Sequence, residues 1–111
     1  MTPAQLVTAQ IEAYNNKDLN ANIALFSETF QLIQFHDNSV LIDGIKAIEK
    51  MYQELFSHSP NLRAEITNRI DYGNKIILHE IIYGRYGKDE GLEQLIMFEI
   101  VNAKIEKIYR L

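Results

Sequence analysis

The sequence predicts an α+β domain in which three helices precede a mostly antiparallel sheet, and three observations carry that reading. Up to Phe56, apolar residues recur at helical spacing. Beyond Pro60 they alternate with polar residues along extended runs. Gly73-Asn74, Gly87 to Gly91 and Asn102-Ala103 then divide the second half into hairpin-sized segments. With 111 residues and no shift in composition, residues 1–111 read as a single domain.

Thr2 is placed to cap the first helix, Pro3 fits its first turn, and Gln5 stands where a capping box needs Glu or Gln. Leu6, Val7, Ala9, Ile11, Ala13 and Tyr14 form a broad apolar stripe, and Asn15-Asn16 ends it. Asp18 caps a short second helix bearing Leu19, Ile23 and Phe26. A strand follows from Thr29 to His36, with Phe30, Leu32, Gln34 and His36 on one face, and Asp37-Asn38-Ser39 breaks it. After Asp43-Gly44, Ile45, Ile48, Tyr52, Leu55 and Phe56 predict a third helix, which Pro60 keeps from continuing much beyond Ser57.

Four strands are then expected near Leu62 to Tyr72, Lys75 to Tyr86, Leu92 to Val101 and Lys104 to Arg110. In the first of these, Leu62, Ala64, Ile66 and Ile70 alternate with Arg63, Glu65, Arg69 and Asp71, so one face is expected to be buried. The next, KIILHEIIY, is apolar on both faces. Either another subunit covers its second face, giving a homodimer, or the curl of the same sheet hides Ile76, Leu78 and Ile82.

The net charge of -4 and scattered basic residues argue against a nucleic-acid partner. The absence of cysteine removes disulfides, thiol nucleophiles and thiolate zinc sites, and suits the cytoplasm. No basic leader is visible, and no apolar run approaches the roughly 20 residues that span a bilayer, so neither a signal peptide nor a membrane partner is expected. Three isolated histidines offer no metal motif, and the glycines do not form a phosphate loop, so no metal or cofactor is expected.

The segments AYNNKDLNANIALFSE, QLIQFHD, DGIKAIEKMY and SPNLRAEITNRIDYGNKIILHE together resemble the SnoaL-like group of the nuclear transport factor two-like superfamily, over nearly the whole chain. Ketosteroid isomerase and polyketide cyclases belong to that superfamily. The resemblance implies a cystatin-like cone: a strongly curved sheet wrapped around three helices, an apolar pocket within, and a dimer on the sheet's outer face. The isomerase needs a carboxylate base, a tyrosine and a protonated acid. An ungapped strand alignment puts the base position on Gln34, the acid position on Ile96 and the tyrosine position near Gln10. Glutamine does not exchange protons near neutral pH and isoleucine forms no hydrogen bond, so that mechanism is not expected here.

His79 is then the leading candidate for a general acid or base, on a face with Ile77, Ile81 and Tyr83 that the resemblance turns toward the pocket, with Glu80 facing outward. It is equally readable as a core histidine satisfied by a neighbour. Gln34 is expected to orient a polar ligand group. Tyr14, Tyr83, Gln94, Phe98 and His36 are candidate ligand contacts. The alternatives are a structural hydrogen bond for Gln94, solvent for His36 and plain core packing for the tyrosines. The expected function is a pocket for a small hydrophobic molecule, either enzymatic in an isomerase, cyclase or hydratase sense, or a noncatalytic dimeric association module.

Overall fold

The computed structural model describes residues 1–111. Helix α1 (Pro3–Asn15) opens on the expected capping box. The Gln5 amide donates to the Thr2 hydroxyl at 3.1 Å, and the Thr2 amide donates to the Gln5 side chain at 2.9 Å. Asp18 caps α2 (Leu19–Ile23) by accepting from the Ala21 amide. Helix α3 (Ile45–Ser57) buries Ile48, Tyr52, Leu55 and Phe56, and the His58 ring lies 2.8 Å from the Glu54 carbonyl at its end.

Six strands form one sheet: β1 (Phe26–Gln34), β2 (Val40–Asp43), β3 (Arg63–Tyr72), β4 (Lys75–Tyr83), β5 (Leu92–Val101) and β6 (Lys104–Arg110). Their order is β2-β1-β6-β5-β4-β3, and every pairing is antiparallel except β1 with β6. The sheet is curved and unclosed, and it wraps the helices as a cystatin-like cone. Strand β2 is absent from the sequence reading because Val40-Leu41-Ile42 is too short to alternate. It forms because Asp37 accepts from the amide and hydroxyl of Ser39, turning the chain back along β1.

The helices and the concave face of the sheet share a core that includes Val7, Phe30, Ile48, Ile76, Leu78, Phe98 and Ile105, all essentially inaccessible to solvent. Asn15 fastens α1 to the edge strand β3. Its amide donates to the Ala64 carbonyl at 3.2 Å, and its carbonyl accepts from the Ala64 N–H at 2.7 Å. Asn15→Ala leaves both backbone groups of this half-buried site unpaired. It is expected to lower the unfolding free energy by about 1–3 kcal/mol in urea titration, with the m-value unchanged.

A β-bulge changes which residues of β3 face the interior. From the Gly73-Asn74 turn, Tyr72 pairs with Lys75 and Ile70 with Ile77. A hairpin continued without interruption sets Ile66 opposite Ile81 and Ala64 opposite Tyr83. Instead, Thr67 is an extra residue, its hydroxyl bonded to the His79 carbonyl at 3.1 Å, and beyond it Ile66 pairs with Glu80 and Ala64 with Ile82. Strand β4, whose register with β5 is unbroken, points Ile76, Leu78, Glu80 and Ile82 into the cone and Ile77, His79, Ile81 and Tyr83 out, and the bulge lets Ala64 and Ile66 join that inner face.

This reverses the expected facing of His79, Tyr83 and Glu80. A one-residue register change moves every side chain to the other side of the sheet, and a strand apolar on both faces does not reveal which side is inner. The same bulge turns Ile70 outward, where it is 53% exposed rather than buried. Arg69 instead turns toward α1, where its guanidinium donates to the Ala4 carbonyl at 2.7 Å and the Thr8 hydroxyl at 2.8 Å.

Candidate functional site

A cavity of about 120 Å³ lies between α1, α3 and the concave sheet. Phe30, Leu32, Ile48, Leu55, Ile82, Ile96, Phe98 and Ile108 build its apolar walls, with Tyr14 and Tyr52 among them. An engineered apolar cavity of about 150 Å³ holds benzene, so the space here suits roughly one ring rather than a fused polycycle. Only five of the nineteen lining residues fall outside the hydrophobic class: Gln10, Glu80, Arg85, Gln94 and Arg110.

Glu80 is the sole carboxylate in that lining and is 7% exposed. Strand register sets it between Ile66 on β3 and Gln94 on β5. Burial alone pushes its carboxyl up from 4.5 to about 7, with no hydrogen bond or cation offsetting the loss of water. Its charge in turn acts on the phenols. Tyr14 is raised first by burial and then by Glu80, against a lowering by Arg85. Tyr52 is raised by burial, then by Tyr14 and Glu80, against lowering by Asn22 and Arg110. Both tyrosines thus remain neutral hydroxyls across the physiological range.

Gln10 is held in place, donating at 3.1 Å to the side-chain carbonyl oxygen of the fully buried Asn22. Arg110, opposite Ile96 on β5 and Gln34 on β1, enters from the end of β6. Burial, then the like charge of Arg85, lowers its pKa, while Tyr52 raises it. Arg85 follows Gly84 in the turn leaving β4. Gly84 has φ +76°, and a Cβ there would lie 2.3 Å from the Asn61 carbonyl oxygen, so only glycine lets the chain pass this close and deliver Arg85 to the cavity.

Of the residues singled out in the sequence, Tyr14, Gln94 and Phe98 line this cavity. The other four do not. His79 lies on the outer face with Nε2 2.6 Å from the Glu93 carboxylate, and Tyr83 lies beneath the Arg63 guanidinium at 4.7 Å. Gln34, beside Arg110 in the register, turns its amide to the His36 ring at 3.1 Å. The side chain of His36 is 74% exposed and sits 3.5 Å from Asp37 beyond the strand end, where no wall of the cone reaches it. Glu80, Arg85 and Arg110 are the cavity residues that periodicity missed. The first lies on a strand apolar on both faces; the other two sit at strand ends, where alternation carries no information.

No curated protein matches the chain in sequence. Solved structures match its fold over the full length. A cystatin-fold protein from Novosphingobium aromaticivorans superposes with a TM-score of 0.88 at 16% identity, covering 100% of this chain and 98% of its own. An NTF2-like protein from Cytophaga hutchinsonii gives 0.82 at 14% identity, covering 100% and 89%. A protein with a ketosteroid isomerase-like fold from Catenulispora acidiphila, solved in complex with trimethylamine, gives 0.73 at 17% identity, covering 100% and 86%. The family model described as the SnoaL-like domain matches residues 7–108, and with the cone and its register already in place this chain belongs to the SnoaL-like family.

Proposed function

We propose that this chain binds a small, largely apolar molecule inside the cone, and that Glu80 rather than His79 exchanges a proton with it. One observation carries this reading: a single buried carboxyl faces an apolar cavity with no hydrogen bond to offset its desolvation. An acid poised near 7 exists in both protonation states at neutral pH, as a group that takes a proton from one atom and returns it to another must. Gln94, directly across the strand pair, and the neutral Tyr14 hydroxyl supply hydrogen bonds to orient a polar group on the ligand. Isomerisation, cyclisation and hydration are the reaction classes that fit a site of this composition.

Cyclohexanone, a single ring with exchangeable hydrogens beside its carbonyl, provides the test. In deuterated buffer at pH 7 the protein is expected to accelerate exchange at those carbons. Glu80→Gln is expected to reduce the acceleration by about 10²–10⁴-fold, the usual range for a positioned general base. His79→Ala, altered only on the outer face, is expected to leave the rate within about twofold. Exchange that followed His79 and ignored Glu80 would overturn the assignment.

A second reading concerns the outer face of the sheet, where Leu95 and Val101 are 44% and 40% exposed on a strand with partners on both sides, next to Ile77, Ile81 and Met97. We propose that this face joins two copies of the chain, as either an enzyme dimer or a noncatalytic association module. Leu95→Lys is expected to convert a sedimenting dimer to monomer. A wild-type chain that sediments as a monomer at high micromolar concentration rules this out.

A further inference from the structure

The four arginines of this chain divide into two kinds. Arg63 and Arg69 lie on β3 and each meets a carboxylate within 4.0 Å, Glu65 at 3.7 Å and Asp71 at 2.9 Å. Arg85 and Arg110 line the cavity, and neither has such a partner. Each guanidinium carries five N–H donors in a planar fork that matches a carboxylate, and a half-buried cation without a counter-ion is costly. Two of them facing one small apolar space leave a gap for an anion that the protein itself does not fill.

We propose that the ligand of this cavity is a one-ring or similarly compact carboxylate, its apolar body against Phe30, Phe98 and Ile108 and its anionic head between Arg85 and Arg110. This rests on the ligand-binding reading of the cone and adds the head group. Charge bookkeeping supports it. Even with Glu80 ionised, two guanidiniums and one carboxylate leave the cavity lining with a net positive charge, inside a chain whose formal charge is -4. Burial and then the like charge of Arg85 disfavour the charged form of Arg110, and an anion lying between the two guanidiniums relieves the second of these. The dimensions agree as well, since about 120 Å³ accommodates a ring while the charged head occupies the half-buried rim.

Benzoate and benzyl alcohol share a ring and differ in charge, so they separate the head-group claim from the cavity claim. Their affinities are measured by NMR titration at pH 7 and constant ionic strength, following the methyl signals of Ile82, Ile96 and Ile108. Wild-type protein is expected to bind benzoate at least tenfold more tightly than benzyl alcohol. Arg85→Gln and Arg110→Gln are each expected to reduce that preference to threefold or less while retaining the alcohol, whose binding shows that the variants keep their fold. Equal affinity of the wild type for both compounds overturns the carboxylate proposal and leaves the cavity reading standing. A preference that persists in both variants also overturns it. Binding of neither compound at millimolar concentration overturns both readings.

Discussion

Glu80→Gln is expected to make the protein more stable at pH 8 while leaving it unchanged below pH 4.5. The folded protein holds the Glu80 proton up to about pH 7, whereas the unfolded chain releases it near 4.5. Between those values the native state binds more protons than the unfolded state, so stability falls as pH rises, and the full cost is present above pH 7. At about 1.4 kcal/mol per unit, the cost is on the order of 3 kcal/mol. Tyr14 and Tyr52 share the cavity with the group, and burial moves both phenols upward, away from this window. Urea denaturation between pH 4 and 9 checks the claim: the wild-type curve should decline from pH 4.5 to 7 relative to that of Glu80→Gln. Parallel curves would mean that the carboxyl is not buried in solution.

Phe98→Ala is expected to have the larger effect on stability. The ring is 1% exposed, forms part of the cavity wall and packs within the core shared by helices and sheet. Truncation removes a buried aromatic ring and enlarges an existing void, a combination that costs about 3–5 kcal/mol. For a domain whose total stability is about 5–15 kcal/mol, that is a large share. Thermal unfolding should show the loss. Because the new space adjoins the cavity, benzene at saturating concentration should recover part of it through mass action, raising the unfolding temperature of the variant more than that of the wild type, whose smaller cavity already admits one ring. A variant equally destabilised but unresponsive to benzene would indicate collapse of the cavity walls.

The fold was legible in this sequence to a greater depth than the site. Capping at Thr2, helical stripes ending at Phe56 and turns at Gly73-Asn74 and Asn102-Ala103 are local signals, and each produced its element. The inner face of β5 was legible too, since Leu92 to Ile100 contrasts apolar positions with Glu93 and Glu99. Strand β4 offers no such contrast. Its facing is set by the strands it pairs with, and on β3 the alternation switches midway at Thr67, a residue with nothing in its own neighbourhood to mark it as extra. Arg85 and Arg110 are separated by 25 positions in sequence and come together only when the end of β6 meets the turn after β4. A bulge and a meeting of strand ends are tertiary events, and no period in the sequence encodes them.

The place of β6 in the sheet also governs how this chain must be made. It is the last of the six strands in chain order, yet it lies between β1 and β5 and is the sole link between the β2-β1 pair and the other three strands. During synthesis the helices and β1 leave the ribosome early, and their apolar faces wait through β3, β4 and β5 before the strand that joins the two halves is available. At about 5–20 residues per second that interval lasts several seconds. A stop codon just before Lys104 would therefore leave two partial sheets with open edges rather than a shortened cone.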